Sequence, residues 1–303
     1  MTVQEAKTWL LAAAAKRGVE LEVLSTSERQ LMLEARGGKP SEVKSSTRAG
    51  IGLRVVDDGR TGYASTEELT TDALAWALDE AVANAAITPA PGGPLPRGRA
   101  LGRTDLLGEG LSAPLTDKIA TSVSFEQAVT ADPRVQAMQF GRYMEAEQQV
   151  EIGSTAGVDG GYRAGIALLL GGIVMREGES VKQGYHLDPA GDYHQLDPGR
   201  TAQTMLRRIG RQLGAKPLKT GRRRAVFEPE VVTTLLELLV YSLSGKSVVE
   251  GKSRLAGKLG ERIASPLVTL VDDATLPGAL GSRPFDSEGT ASARLTLVEE
   301  GVL

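Results

Sequence analysis

The chain contains two histidines, His186 and His194, and both fall in one short run, Gly184-Tyr-His-Leu-Asp-Pro-Ala-Gly-Asp-Tyr-His-Gln-Leu-Asp-Pro198. With Asp188, Asp192 and Asp197 around them they can be drawn as a metal cluster, because imidazoles and carboxylates together suit a divalent cation. The local alternative is favoured: Asp-Pro and Gly-Asp steps build turns by bonding side chain to backbone. Two carboxylate pairs raise the same question, Asp272-Asp273 and Asp286-Ser-Glu288. Paired carboxylates can divide acid and base roles between them. However, Asp-Asp before a turn and Asp-x-Glu-Gly before a strand also end elements by accepting from free amides, and turn chemistry is again the preferred reading.

Other chemistries find less to work with. Zero cysteines exclude a disulfide framework and any thiolate metal site, and fit a reducing compartment. The two dense basic clusters, Arg207-Arg-Ile-Gly-Arg211 and Arg222-Arg-Arg224, lack interleaved aromatics, so a solvated face or a subunit rim suits them better than single-stranded nucleic acid. Thirty-five basic against thirty-eight acidic residues leave a net charge of −3, which offers no field to hold a phosphate backbone; no direct nucleic-acid ligand is expected. Gly160-Gly161 and Gly171-Gly172 are not followed by a Lys-Ser/Thr helix, so a phosphate loop is unsupported. No Gly-x-Ser-x-Gly occurs, and Ser242-Leu-Ser-Gly-Lys246 has no nearby histidine to act as base. The Ala-rich start, with Glu5 and Lys7 inside it, does not read as a secretory signal, and no apolar run reaches the roughly 18 residues of a membrane span. A cytoplasmic protein with no membrane partner is the expectation.

The elements that must position these residues follow from spacing. Ala6, Trp9, Leu10, Ala13 and Ala14 share a helical face over 3–17, with Gly18 as the C-cap. Val19, Leu21, Val23, Leu31, Leu33 and Ala35 recur at spacing two, with Arg36-Gly-Gly38 as a turn. Asp57-Asp-Gly-Arg60 predicts a hairpin between Ile51–Val56 and Thr61–Ser65, because Asp-Gly tolerates positive φ. Thr66, followed by Glu67 and Glu68, is the expected N-cap of a helix carrying Leu69, Ala73, Trp76, Ala77 and Val82. Residues 89–114 hold enough Pro and Gly to read as an irregular connection. Beyond it come a helix over 116–131, strands over 135–152 and 162–175, and a helix from Asp197-Pro-Gly to Leu213 stopped by Gly214. A strand at Arg224–Phe227, a helix at Pro229–Leu243 and closing strands complete the chain. The implied domains are an N-terminal α/β unit at 1–88, the connection at 89–114, a central α/β unit at 115–218 and a β-rich region from 219 to 303.

One long run carries more identity than the rest: a strand from Val268, Asp272-Asp273, a loop containing Phe285-Asp-Ser-Glu-Gly289, and a second strand ending Glu299-Glu-Gly-Val-Leu303. It resembles the PmbA (TldE) branch of the TldD/PmbA family. Gly153-Ser-Thr155, Leu213-Gly-Ala215, Lys219-Thr-Gly221, Phe227-Glu-Pro229 and Ser253-Arg-Leu-Ala-Gly-Lys-Leu-Gly260 match in order and spacing. The fold implied is α+β, two helix–sheet units followed by a mainly antiparallel β region. Family members continue past the last strand into further strands. The chain stopping at Leu303 therefore looks truncated, either a natural short form or part of a longer product.

The family is known for metalloproteases that act on peptides, built as a TldD–TldE heterodimer in which TldD holds the metal. In the TldD branch the helix matching Pro229–Leu243 carries His-Glu-x-x-x-His, two imidazoles gripping zinc while the glutamate activates water. Here that helix offers Glu237 and Tyr241 at the spacing of the motif's Glu and second His, with no histidine. One carboxylate without neutral nitrogen donors does not hold zinc at useful affinity, so the expected picture is an apolar helix packed on a sheet with Glu237 at its polar edge. The resemblance thus implies a non-catalytic subunit with no cofactor of its own, zinc residing in a TldD-like partner, and a peptide as substrate. The family-motif residues are Asp272, Asp273, Phe285, Asp286, Glu288 and Gly289. The alternative is a stand-alone homodimer that binds peptides or regulates a partner, in line with the family's older label as a modulator of DNA gyrase.

Overall fold

The computed structural model describes residues 1–89, 92–98 and 100–303. Helix α1 (Val3–Arg17) opens with a capping box, in which the Thr2 hydroxyl accepts from the Glu5 N–H and the Glu5 carboxylate accepts from the Thr2 N–H at 2.7 Å; it closes at Gly18 with φ 73°. Strands β1 (Glu20–Arg36), β2 (Lys39–Asp57) and β3 (Arg60–Thr66) then run as a meander. Its two turns sit where expected: Gly37-Gly38, and Asp58-Gly59 with φ of 45° and 70°, the doubly positive pair of a tight hairpin. Helix α2 (Thr71–Ile87), strand β4 (Ala100–Leu106), helix α3 (Leu115–Thr130) and strands β5 (Val135–Ser154), β6 (Asp159–Glu177) and β7 (Ser180–Ala190) follow. Helix α4 (Pro198–Gly210) starts at the Asp197 cap, whose side chain accepts from the Arg200 N–H. Helices α5 (Pro229–Leu243) and α6 (Gly245–Val249) and strands β8 (Leu270–Asp273) and β9 (Arg294–Val298) end the chain. The protein is α+β, and among the described residues every strand pairing but one is antiparallel.

The contacts divide the chain into two compact units, Met1–Ala215 with Thr275–Ser292, and Lys216–Ala274 with Ala293–Leu303. The first is built on a seven-stranded sheet in the order β3-β2-β1-β5-β6, with β6 flanked on its far side by β4 near Asp159–Ala164 and by β7 near Ala167–Glu177. Residues 1–88 and 115–218 thus share one sheet, since β1 pairs β2 on one side and β5 on the other.

Alternate residues of a strand face opposite sides of its sheet. Leu21, Val23 and Leu33 of β1 lie on one face, as do Tyr143 on β5 and Leu169 on β6, in register with them. All four helices of this unit pack there. Leu10 of α1 and Leu74 and Leu78 of α2 join Leu21, Val23, Ile51 and Leu53 in one cluster. Phe125 of α3 and Met205 and Ile209 of α4 join Leu33, Tyr143 and Leu169 in another.

Four local expectations fail. Thr66 does not cap α2, because it is still paired with Ile51 in the sheet; the cap is Thr70, which accepts from the Ala73 N–H at 3.3 Å. The 89–114 stretch is not wholly irregular: Ala100–Leu106 forms β4, the one parallel strand, an edge position that tolerates the break at Gly102 (φ 70°). Arg224–Phe227 is not a strand, since it pairs with nothing among the described residues and a strand exists only through its ladder. Helix α5 is not packed on a sheet: none of its residues is buried, and Leu235 and Leu238 are 48% and 68% exposed. The β8–β9 ladder of its unit pairs only four residues of β8, too few to cover a helix of 15.

Candidate functional site

The residues singled out by type do not come together. His186 lies on β7 with its Nδ1 3.1 Å from Arg208 Nη1, whereas His194 sits in the short turn Tyr193–Gln195, its ring edge-on to Tyr193. The aspartates around them have local work. Asp192 accepts from the backbone of Gly110 and His194, Asp188 from the Thr201 hydroxyl at 2.5 Å, and Asp197 caps α4. Burial, the largest single influence, would raise the Asp192 carboxyl, but the bonds from Gly110 and His194 together outweigh it and hold the carboxyl below its usual range. Among the described residues no three His, Asp or Glu side chains are grouped to hold a metal ion, so the donors present do not fit a zinc site. Glu237 and Tyr241 are exposed on α5.

The two carboxylate pairs belong to different units. Asp272 and Asp273 end β8, opposite Leu295 and Arg294 of β9. Asp286 and Glu288 belong to 275–292, which packs on the large sheet. There the Asp286 carboxylate accepts from the N–H groups of Glu288 and Thr290, closing a tight turn that needs Gly289 at φ 75°. A Cβ on Gly289 would meet Val158 Cγ1 at 2.6 Å. The turn delivers Phe285, 1% exposed, into a cluster of Leu24, Val150, Ile152, Val158 and Tyr162, with the Tyr162 ring edge-on at 5.2 Å.

That cluster lies on the side of the sheet opposite the helices, since Leu24, Val150, Ile152 and Tyr162 hold the alternate positions of their strands. The Phe285 turn covers one end only. Toward the other end Met32, Met144, Ile166 and Leu168 share the same face without a helix over them, half-buried by their neighbours. With Lys44 and Ser46 they line a concavity of about 430 Å³, apolar at its floor and bordered by Lys44, which pairs with Glu42. A second hollow of about 510 Å³ lies beside the Phe285 turn, floored by Gly52 and walled by Glu22, Arg54, Tyr63 and Glu288. Arg54 bonds Glu22 at 3.0 Å and Glu288 at 3.4 Å. Burial pushes the Glu22 carboxyl up, Arg54 opposes it, and the nearby Glu288 and Asp286 carboxylates add to the rise.

On the helix side the buried lysines are locked by carboxylates. Lys118 of α3 bonds Glu145 at 2.7 Å and donates to the Leu111 carbonyl, and the Tyr143 hydroxyl donates to Glu145 at 2.5 Å. Burial first, then that bond, drives the Tyr143 phenol far above its ordinary range. Lys7 of α1 bonds Glu151 at 3.1 Å and Asp159 at 2.8 Å, and Arg103 of β4 clamps the same two carboxylates. Burial alone would raise Asp159, but the bonds from Lys7 and Arg103 prevail and lower it.

Sequence reasoning passed over the concavity residues Met32, Lys44, Ser46, Met144, Ile166 and Leu168. A signal existed: Ile166-Ala-Leu-Leu-Leu170 is apolar at both parities, so both faces of β6 are apolar where an amphipathic strand would alternate.

Residues 220–303 match the model of the PmbA/TldA metallopeptidase C-terminal domain, and residues 21–85 that of PmbA/TldA metallopeptidase domain 1. The chain is 27% identical over 295 residues to a metalloprotease of Methanothermobacter thermautotrophicus, covering 93% of this chain and 63% of that protein. It is 25% identical over 307 residues to the metalloprotease PmbA of Escherichia coli, covering 99% of this chain and 68% of that one. It thus spans about two thirds of the length of these relatives. The crystal structure of TldE from Thermococcus kodakarensis superposes with a TM-score of 0.81 at 22% identity over 98% of this chain and 68% of that one, which shows a shared fold. With both end domains matched and the fold shared throughout, the chain belongs to the PmbA/TldD metallopeptidase family.

Proposed function

We propose that this chain is a PmbA/TldE-like subunit that supplies a peptide-accepting surface to a metalloprotease complex, while metal and water activation belong to a TldD-like partner. The observation that carries this reading is helix α5. Where the metal-bearing branch places two histidines and a glutamate, α5 carries no histidine and offers only Glu237 and Tyr241 at the motif's spacing, and no metal-competent cluster occurs elsewhere among the described residues. A zinc-bound water needs about three protein ligands with nitrogen donors among them, and a lone carboxylate on an exposed helix cannot generate one. What the chain does offer is a wide sheet face free of helices, with an apolar concavity rimmed by Lys44. That surface suits extended peptide, whose backbone can pair with strands while its side chains fill hollows.

The test is peptide hydrolysis by three samples: this chain alone, a His-Glu-x-x-x-His paralogue alone, and their mixture. The reading expects cleavage only where the paralogue is present and enhancement in the mixture. Chelator-sensitive cleavage by this chain alone overturns it. Peptide retention by this chain with no response to any such paralogue favours the stand-alone binding module instead.

A further inference from the structure

The outer edge of the large sheet is only partly closed. Strand β3 pairs Ile51–Asp57 of β2, and Lys39–Gly50 bonds β1 on one side with no described strand on the other. Alternate residues of such an edge turn both N–H and C=O outward, a row of groups complementary to one thing only, another extended backbone. Residues 43–48 are all exposed, Val43 by 51%. Proteins commonly blunt an open edge with proline or a bulge, and both devices occur at its start: Pro40, and the register shift between Glu34 and Ala35. From Val43 to Gly50 the edge is regular.

Hollows flank this stretch on both faces. Lys44 and Ser46 border the concavity of about 430 Å³ floored by Met144, Ile166 and Leu168. On the helix side Val43 and Ser45 border another of about 490 Å³, lined by Leu31, Leu115 and the buried Lys118–Glu145 pair. A strand laid along β2 would place successive side chains alternately beside Ser46 on one face and Ser45 on the other, at the outer lips of the two hollows, whose floors lie inboard on β1, β5 and β6. Glu42 pairs with Lys44 at 2.7 Å, and Lys39 and Arg48 leave Lys39–Gly50 with a net positive charge in a chain whose net charge is negative.

We propose that β2 from Val43 to Gly50 is a strand-addition site for an extended acidic peptide. Neighbouring aliphatic side chains of the peptide rest at the lips of the two hollows, beside Ser45 on one face and Ser46 on the other, and a carboxylate two residues from the latter meets Arg48. This rests on the peptide-handling reading above and names where and by what chemistry the peptide is held.

The probe is a fluorescein-labelled peptide containing Glu-Thr-Leu-Leu-Thr-Glu, in which the neighbouring leucines face opposite sides of the sheet and each has a glutamate two residues away on its own face, with two analogues N-methylated at every second residue, one along each edge. Binding to the full chain is followed by anisotropy and by backbone amide exchange. The expected result is slowed exchange within 43–50, loss of binding for one methylated analogue and retention for the other, since only one peptide edge faces β2. Lys44→Gln with Arg48→Gln, both at exposed positions, should weaken binding roughly tenfold while moving the unfolding midpoint little. Equal binding of both analogues, or protection elsewhere, overturns the proposal. So does protection of 43–50 without peptide that grows with protein concentration, which would make a second copy the occupant. If the paralogue mixture still cleaves peptide while these binding results fail, the edge is wrong and the subunit reading stands.

Discussion

The two faces of the seven-stranded sheet are made from the same strands yet serve different ends. On one, four helices bury Leu21, Leu33, Tyr143 and Leu169 to 1% exposure or less, and each charge drawn inside has a partner, as in Lys118–Glu145 and Lys7–Glu151. On the other, a single turn anchored by Phe285 covers one end, and Met32, Met144, Ile166 and Leu168 are only partly buried. Burial is therefore set by whether a second layer exists, and not by strand hydrophobicity alone. The covered face holds the larger buried clusters, and the open one is where the proposed peptide surface lies.

The largest expected effect is on the covered face. Glu145→Leu leaves the Lys118 ammonium buried without its carboxylate and removes the acceptor of Tyr143, which should cost about 3–5 kcal/mol. Chemical denaturation of the variant measures it, and a loss below about 1 kcal/mol would mean that water reaches Lys118. A sharper contrast uses adjacent leucines. Leu169→Ala, from the helix-covered side, should cost about 2–5 kcal/mol, whereas Leu168→Ala, one residue away on the open side, should cost under about 1.5 kcal/mol. Equal losses would contradict the difference between the faces.

A smaller effect is expected at Glu22. Its carboxyl titrates above its ordinary 4.5, chiefly through burial, so the folded chain holds that proton more tightly than the unfolded one. The stabilising contribution is complete below pH 4.5 and is lost as pH rises through the folded value, so this group opposes folding at neutral pH. Glu288→Gln removes a like charge and should lower the Glu22 midpoint, which carboxyl-resolved NMR titration reads directly. A midpoint that does not move would mean that Glu288 does not act on Glu22.

Much of the fold is legible where a residue's local chemistry decides the backbone. Gly18, Asp58-Gly59 and Asp197-Pro198 end or begin elements for reasons contained within a few positions. Thr66 misleads because two threonines four apart can both cap, and only the β2–β3 ladder extending to Thr66 selects Thr70. Helix α5 was legible as a helix but not in its exposure, since an apolar composition does not reveal whether a covering layer exists. The site is harder still. Lys118–Glu145 and Lys7–Glu151 join residues far apart in sequence, and Met32, Met144 and Leu168 become neighbours only through the registers β1–β5 and β5–β6. The Phe285 to Gly289 motif could be marked from sequence, but its role as the cover of one end of the open face comes from packing.

The central claim is that this chain presents a surface and does not perform the hydrolysis, and one measurement meets it directly. Peptide cleavage by the mixture with a His-Glu-x-x-x-His paralogue is compared for Glu237→Gln in this chain and for the glutamate-to-glutamine change in the paralogue's motif. The account predicts cleavage within about twofold of wild type for Glu237→Gln, because an exposed carboxylate remote from any metal ligand activates no water, and abolition for the paralogue variant with assembly intact. Metal-dependent cleavage by this chain alone, lost in Glu237→Gln, would contradict it.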